Sequence, residues 1–458
     1  MSFNWHFGLI LSILLTAIFL NVNVNTVSSS RVCIKYQCKV PTTTDSRLKV
    51  QIVYQKNDTS ASREPNQLSP VTSIAFLGDK DIVILDKNDG KVLRIVNYTL
   101  LPKPLLDVSV ANKWERGLLG VAVSKEYDKA YVFLYYTESK SGDGEDICPS
   151  IFCAPSSADP SKNNLYRYEL KNNSLVNPKL LFSLPPSYVA SHIGGSLQIG
   201  PDGNLYIIVG DFHGNYNKTT STTALNFKNG EFPDGRAGIL RFTQEGKVVG
   251  HGILGERYPL NLYYAYGIRN GFGLDFDPVS GKLWDTENGP NFGDEVNLVE
   301  PGFNSGWAKI QGIWQAHNHS ETGKVLHPEP EDLVSFGGSG KYNPPKLVWN
   351  NTVAPTAIKF LNSNKLGEEY KNDLFVASFN FGKVYHFDLN DNRTRLIIPT
   401  SYNDSLVPEE EEPEEIVFAR GLGKITDMDE GPDGDLYILS RYFDKPTIFR
   451  ISSVNETN

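Results

Sequence analysis

Three stretches of this chain gather residues able to do chemistry. In YVASHIGGSLQIGPDGNLYIIVGDFHG, His192 precedes Gly194 and Gly195, an apolar strand follows, and Asp211 ends the next strand. Paired glycines let the backbone turn sharply and let a ligand come close. A hairpin of the two strands brings Asp211 back beside His192. A carboxylate next to an imidazole orients the ring and raises its basicity, as a general base requires. A structural histidine capping a turn explains the motif equally well. In YAYGIRNGFGLDFDPVSGKLWDTENGPNFGDEVNLVEPGFNSGW, Arg269 and Asn270 occupy a Gly-rich turn, where arginine can pair bidentately with a carboxylate. Glu287-Asn288-Gly289-Pro290 follows, then Asp294 and Glu295. Such oxygen-rich loops suit Ca2+, which takes backbone carbonyls as readily as carboxylates; the plainer reading is an acidic surface loop. In ANKWERGLLGVAVSKEY, Glu115 and Arg116 are either a ligand contact or a structural ion pair.

The elements that must position these residues recur along the chain. Six segments share an apolar strand, a turn rich in Gly with Asp or Asn, and further β-rich strands. They start at Thr72, Leu119, Gly195, Phe272, Thr356 and Ile425. Turns such as PDG supply the positive φ that joins such strands. Six copies predict an all-β fold, a six-bladed β-propeller around a central channel, with LKVQIVY from Leu48 completing the last blade. A β-sandwich array leaves the PDG repeats unexplained. Propellers gather function where loops meet at the channel mouth. The loops Gly214–Asp234 and Ala316–Tyr342 are expected to set substrate choice. His317, His319 and His327 in the second are too loosely spaced for a metal site and read as surface loop.

Composition agrees. Of 458 residues, 39 are Gly and 27 Pro, which suits many short strands joined by turns. A net charge of −9 with no basic stripe excludes nucleic acid as a partner. The apolar run Phe7–Leu20 reads as an export signal: residues 1–29 are a signal peptide, 30–47 an N-terminal extension, 48–458 the propeller. The run has no preceding Lys or Arg, so an uncleaved membrane anchor is the alternative. The expected location is secreted or extracytoplasmic. Nine N-x-S/T sequons are candidate glycan sites. The cysteines form two C-x4-C pairs, Cys33/Cys38 and Cys148/Cys153, for which two local disulfides are the simplest arrangement. A metal site there lacks a nearby His.

At these motifs the chain resembles the glucose/sorbosone dehydrogenase family, whose soluble members use pyrroloquinoline quinone. The resemblance runs from about Leu48 to Ile451 and rests on ERGLLGVA, HIGGSLQIGPDGNLYIIVGD, YGIRNGFGLDFDP and ENGPNFGDEVNLVEPGFNSGW together. It implies a propeller holding quinone and Ca2+ at its channel mouth, oxidising a sugar or polyol C1 hydroxyl to a lactone and passing electrons to an unidentified acceptor. Within it, His192 matches the general base and Asp211 its partner. Arg269, Asn270 and Lys424 match quinone contacts. Gly289 and Pro290 match the carbonyls that hold catalytic Ca2+, and Asp294 and Glu295 the acidic pair beyond.

The chain departs from the pattern where the quinone's three carboxylates need cations. Thr426 and Asn380 stand at basic positions, Ser196 at a frequent Arg, and Gly271 at a frequent Pro. Each lost charged hydrogen bond weakens binding by ~1.5–3 kcal/mol. Lys383, Arg116 and Arg236 are candidate substitutes. Three functions follow: a quinone- and Ca2+-dependent sugar or polyol dehydrogenase, a non-catalytic extracellular binding propeller without the cofactor, and a Ca2+-dependent lactone hydrolase.

Overall fold

The computed structural model describes residues 40–56, 71–126, 129–139, 161–187, 189–212, 222–316, 332–399, 406–407 and 414–455. Val40–Asn458 forms one compact unit. The N-terminal apolar run, all four cysteines, and His317, His319 and His327 lie outside the described residues.

The described chain is all-β, its helices being short 3-10 turns. Five blades each draw four antiparallel core strands from one stretch of chain. The first runs Val71–Gly78, Asp81–Asp86, Lys91–Val96 and Thr99–Leu100, the second Leu118–Glu126, Lys129–Glu138, Lys162–Lys171 and Ser174–Ser183. The third runs Gly194–Ile199, Leu205–Val209, Gly238–Phe242 and Tyr263–Tyr266, and the fourth Gly271–Phe276, Leu283–Glu287, Asp294–Val299 and Leu347–Trp349. The fifth runs Pro355–Phe360, Leu374–Ser378, Val384–Leu389 and Val417–Arg420, and Thr42–Thr43 adds to its edge.

The expected six-bladed propeller is corrected here: the self-contained blades number five, not six. The sixth repeat supplies just three strands, Lys424–Glu430, Leu436–Tyr442 and Lys445–Ser453. They cannot make a four-stranded blade alone. Leu48–Gln55 pairs antiparallel with Lys445–Ser453 instead, giving a closing sheet assembled from both ends of the described chain. Counting repeats overstated the blades because the last repeat has no fourth strand of its own.

Neighbouring sheets cover one another face to face, which is why middle strands are apolar at successive positions. Ile82, Val83, Ile84 and Leu85 are all fully buried, as are Leu205, Ile207, Ile208 and Val209. Burying each such side chain stabilises by about 1.5–3 kcal/mol. The PDG turns behave as the sequence predicts, Gly203 standing at φ +73° and Gly434 at φ +81°. Among the described sequons, Asn97, Asn172, Asn392 and Asn455 are exposed and Asn350 is half-buried. No described helix is long and apolar enough to cross a membrane.

Candidate active site

The third blade builds the hairpin that the sequence suggests. Gly194 pairs with Val209, so the residues just outside this pair, His192 and Asp211, meet at one end of the sheet. His192 Nδ1 lies 2.7 Å from Asp211 Oδ1. Asp211 Oδ2 accepts the indole N–H of Trp307 at 2.7 Å. Arg269 Nη2 lies 3.0 Å from His192 Nε2. An ionised carboxylate can only accept and a guanidinium can only donate. Nδ1 therefore carries the proton, and the Nε2 lone pair points at Arg269. This is the tautomer a general base needs.

The backbone here is under strain. His192 has φ +57°, a region non-glycine residues rarely adopt, and such outliers concentrate at functional sites. Its carbonyl accepts from Phe212 N, and a Cβ on Gly210 would stand 2.1 Å from it, so that position takes glycine. Burial pushes the Asp211 carboxyl up, but the His192 imidazole, the Arg269 charge and the Trp307 N–H outweigh it. The group stays below the usual carboxylate range.

Arg269 is fixed from two sides. Its backbone N–H donates to Glu287 Oε2, and its Nη1 donates to the Asn288 carbonyl at 2.6 Å. Asn270 donates to Glu115, whose carboxylate also accepts Ile193 N–H. Glu115 thus joins the second blade to this site, whereas Arg116 turns to the carbonyls of Ser187 and Val189. Gly289 N–H donates to Asp294 Oδ1, and Asp294 Oδ2 accepts from Thr352 Oγ1, Val353 N and Ala354 N. A Cβ on Gly289 would lie 1.8 Å from the Phe292 carbonyl, so this turn requires glycine. Glu295 sits apart from His192's partners, buried among Gly312 N, Gln311, Asn297 and Ser305, and burial raises its carboxyl to about 7.

A cavity of about 210 Å3 opens beside these residues, lined by Glu115, Gly194, Gly195, Asn288, Thr426 and Asp427 among others. Its walls include the apolar faces of Leu119, Phe272 and Phe379. Lys424 is exposed and holds its ammonium 4.9 Å from the centre of the Phe379 ring. Asn380 donates to the Thr352 carbonyl. The candidate substitutes are engaged elsewhere: Arg236 pairs with Asp234, and Lys383 lies over Phe381.

Sequence reasoning assigned no role to Trp307, Lys87 or Asp427. Trp307 stands in the quoted GFNSGW motif, where a donor-only indole among small polar residues is the available signal. Lys87 lines the cavity, but its ammonium donates to the carbonyls of Asn112, Trp114 and Arg116. Asp427 also lines the cavity and accepts from Ile74 N, and burial raises its carboxyl to about 7.

The model of the family described as glucose/sorbosone dehydrogenase matches residues 68–446. The chain belongs to this family. It is 25% identical over 371 residues to the aldose sugar dehydrogenase YliI of Escherichia coli, covering 80% of this chain and 86% of that one. To quinoprotein glucose dehydrogenase B of Acinetobacter calcoaceticus it is 24% identical over 425 residues, covering 79% and 81%. Its fold is similar to the apo form of the soluble E. coli aldose sugar dehydrogenase, with TM-score 0.62, 19% identity, and coverage of 89% and 99%. The PQQ-bound aldose sugar dehydrogenase of Streptomyces coelicolor gives TM-score 0.56, also at 19% identity, with coverage of 89% and 99%.

Whether this glucose/sorbosone dehydrogenase fold suits the family's quinone and Ca2+ is testable on its own atoms. Arg269 Nε, Asn270 Oδ1 and Asn288 Oδ1 are buried with no hydrogen-bond partner. Buried polar atoms are nearly always paired, so three orphans beside His192 and its partners suit a polar group placed among them, and Asn288 also lines the cavity. Asp294 pins the turn at Gly289 by accepting its backbone N–H. The cavity lining fits a tri-carboxylate less well, since it includes the carboxyls of Glu115 and Asp427. Were those groups bound, Arg269, Asn270 and Lys424 would be the residues offered to the quinone, and Gly289 and Pro290 those offered to the Ca2+.

Proposed function

We propose that this chain oxidises the C1 hydroxyl of a sugar or related polyol, with pyrroloquinoline quinone and Ca2+, outside the cytoplasm. The observation that carries this reading is the buried Trp307–Asp211–His192 chain, which leaves His192 Nε2 as a lone pair in a strained backbone position. Arg269 occupies that lone pair until the substrate hydroxyl replaces it. His192 then takes the hydroxyl proton at Nε2. Asp211 stabilises the imidazolium that forms, and the Trp307 N–H keeps the carboxylate aimed. When bound, the quinone supplies the two-electron acceptor, and Ca2+ polarises it.

The test is reconstitution. The apo protein is mixed with the quinone and Ca2+, and the quinone absorbance is followed as aldoses are added. Reduction of the quinone supports the reading. His192→Ala should then lower turnover by ~10²–10⁴-fold while leaving quinone binding intact. Turnover unchanged in that variant refutes the role of His192.

A second reading rests on the cavity wall, where Glu115 and Asp427 stand with Thr426 and Lys87's charge is spent on carbonyls. It is a binding propeller that takes a neutral polyol and no cofactor. Failure of the quinone to bind the folded protein selects it.

A further inference from the structure

We propose that Asp373, His386 and Asp388, on the fifth blade, form a site for a divalent transition-metal ion of the zinc type. This is independent of the redox reading, since none of the three lines the cavity described above.

The ladder brings the three together. Phe375 pairs with His386 and Leu374 with Phe387, so the next step sets Asp373 against Asp388. His386 and Asp388 are two residues apart on one strand and share a face. His386 Nε2 lies 3.0 Å from Asp373 Oδ2 and 3.6 Å from Asp388 Oδ1. The three donor atoms all fall within 4.8 Å of one another. A tetrahedral zinc ion with ligands at about 2.0–2.1 Å needs donors about 3.3 Å apart, which lies between the two measured separations.

Two further features favour an ion over a chance cluster. Like charges directly opposite across a strand pair repel, and a cation between the two facing aspartates would relieve that repulsion. The imidazole is also held in place. Tyr370 packs edge-on at 5.1 Å between centroids and Phe375 lies at 4.9 Å, which orders the ligand before metal arrives. The Asp388 side chain is 57% exposed, giving an entry path and room for water as a fourth ligand. An imidazole nitrogen with two carboxylates suits Zn2+ or Cu2+ and disfavours Ca2+, which prefers oxygen.

The test uses the whole protein in buffer with excess Ca2+, so that oxygen-only sites stay filled. It is dialysed against Zn2+ and its metal content measured, then against Co2+ and its visible absorption recorded. The expected result is one equivalent of zinc and d–d bands of a low-coordinate cobalt site, both lost in His386→Ala and in Asp388→Asn. Circular dichroism checks the variants, and the exposed Asp388→Asn decides the matter if His386→Ala is unfolded. Zinc content unchanged in Asp388→Asn, or a wild type that takes up no zinc, overturns the proposal and leaves a plain histidine–aspartate hydrogen bond.

Discussion

Replacing Asp211 by asparagine is the sharpest test of the His192 reading, because the shape is kept and one acceptor becomes a donor. Asp211 accepts twice, from His192 through Oδ1 and from Trp307 through Oδ2. An amide has one oxygen and one NH2 group. If the oxygen faces His192, the NH2 meets the indole N–H, donor against donor. If the oxygen faces Trp307, the NH2 forces the proton onto Nε2, where Arg269 also donates. Either way one buried donor goes unpaired, at a cost of about 1–3 kcal/mol. The imidazolium formed during turnover also loses its charged hydrogen bond to Asp211, about 1.5–3 kcal/mol, and at 1.36 kcal/mol per tenfold in rate turnover should fall about 10- to 150-fold. Adding Trp307→Phe removes the conflicting donor. The double variant should then recover part of the loss, an interaction a purely additive effect would not produce. The assay is steady-state turnover of the reconstituted protein with an aldose and an artificial acceptor, beside a melting curve for each variant. Wild-type activity in Asp211→Asn, or a double variant worse than the sum of the singles, refutes this account of the hydrogen-bond chain.

Other outcomes follow from the same geometry. If Gly289 and Pro290 hold Ca2+, a chelator should lower the melting temperature or abolish quinone binding, and a curve indifferent to chelator and added Ca2+ counts against the assignment. Burial lifts Asp427 from 3.8 to about 7, so the folded state binds the extra proton between those values, and stability falls as pH rises through that window. In Asp427→Asn that decline should be absent, read as a flatter melting temperature from pH 4 to 8; parallel profiles would show that Asp427 does not titrate in this range. Cys33–Cys38 and Cys148–Cys153 are expected to be linked, and non-reducing peptide mapping that finds free thiols or cross-pairing refutes this.

The parts of the site that were legible in the sequence are those joined by short-range geometry. His192 and Asp211 flank one hairpin, so counting strands placed them together. Gly289 and Asp294 are five residues apart at the mouth of one strand. What could not be read came from other blades. Trp307 reaches Asp211 from 96 positions away, and Glu115 reaches Asn270 across 155. No local pattern encodes such contacts, which exist once the sheets are stacked. The pairing of the Leu48 strand with the last repeat was legible and is present. What counting repeats missed is that the sheet so formed is no self-contained blade, because the last repeat carries three strands of its own. The charge departures at Asn380 and Thr426 were visible in the sequence, but that Lys87 is tied to carbonyls and Asp427 lines the cavity needed coordinates.

The closing sheet also sets an order of events during synthesis. Gln55 meets Thr447, 392 positions further along, so the strand made among the first must wait for one made among the last. Pairing so distant in sequence is slow to form and leaves apolar edges uncovered meanwhile. On the ribosome, the ring is an open arc until Lys445–Ser453 leaves the exit tunnel, and the arrival of that strand acts as the latch. Loss of the Lys445–Ser453 strand would therefore harm the molecule out of proportion to its length. Moving the chain's ends to another blade boundary would relocate that latch, and would let translation complete the present closing sheet early.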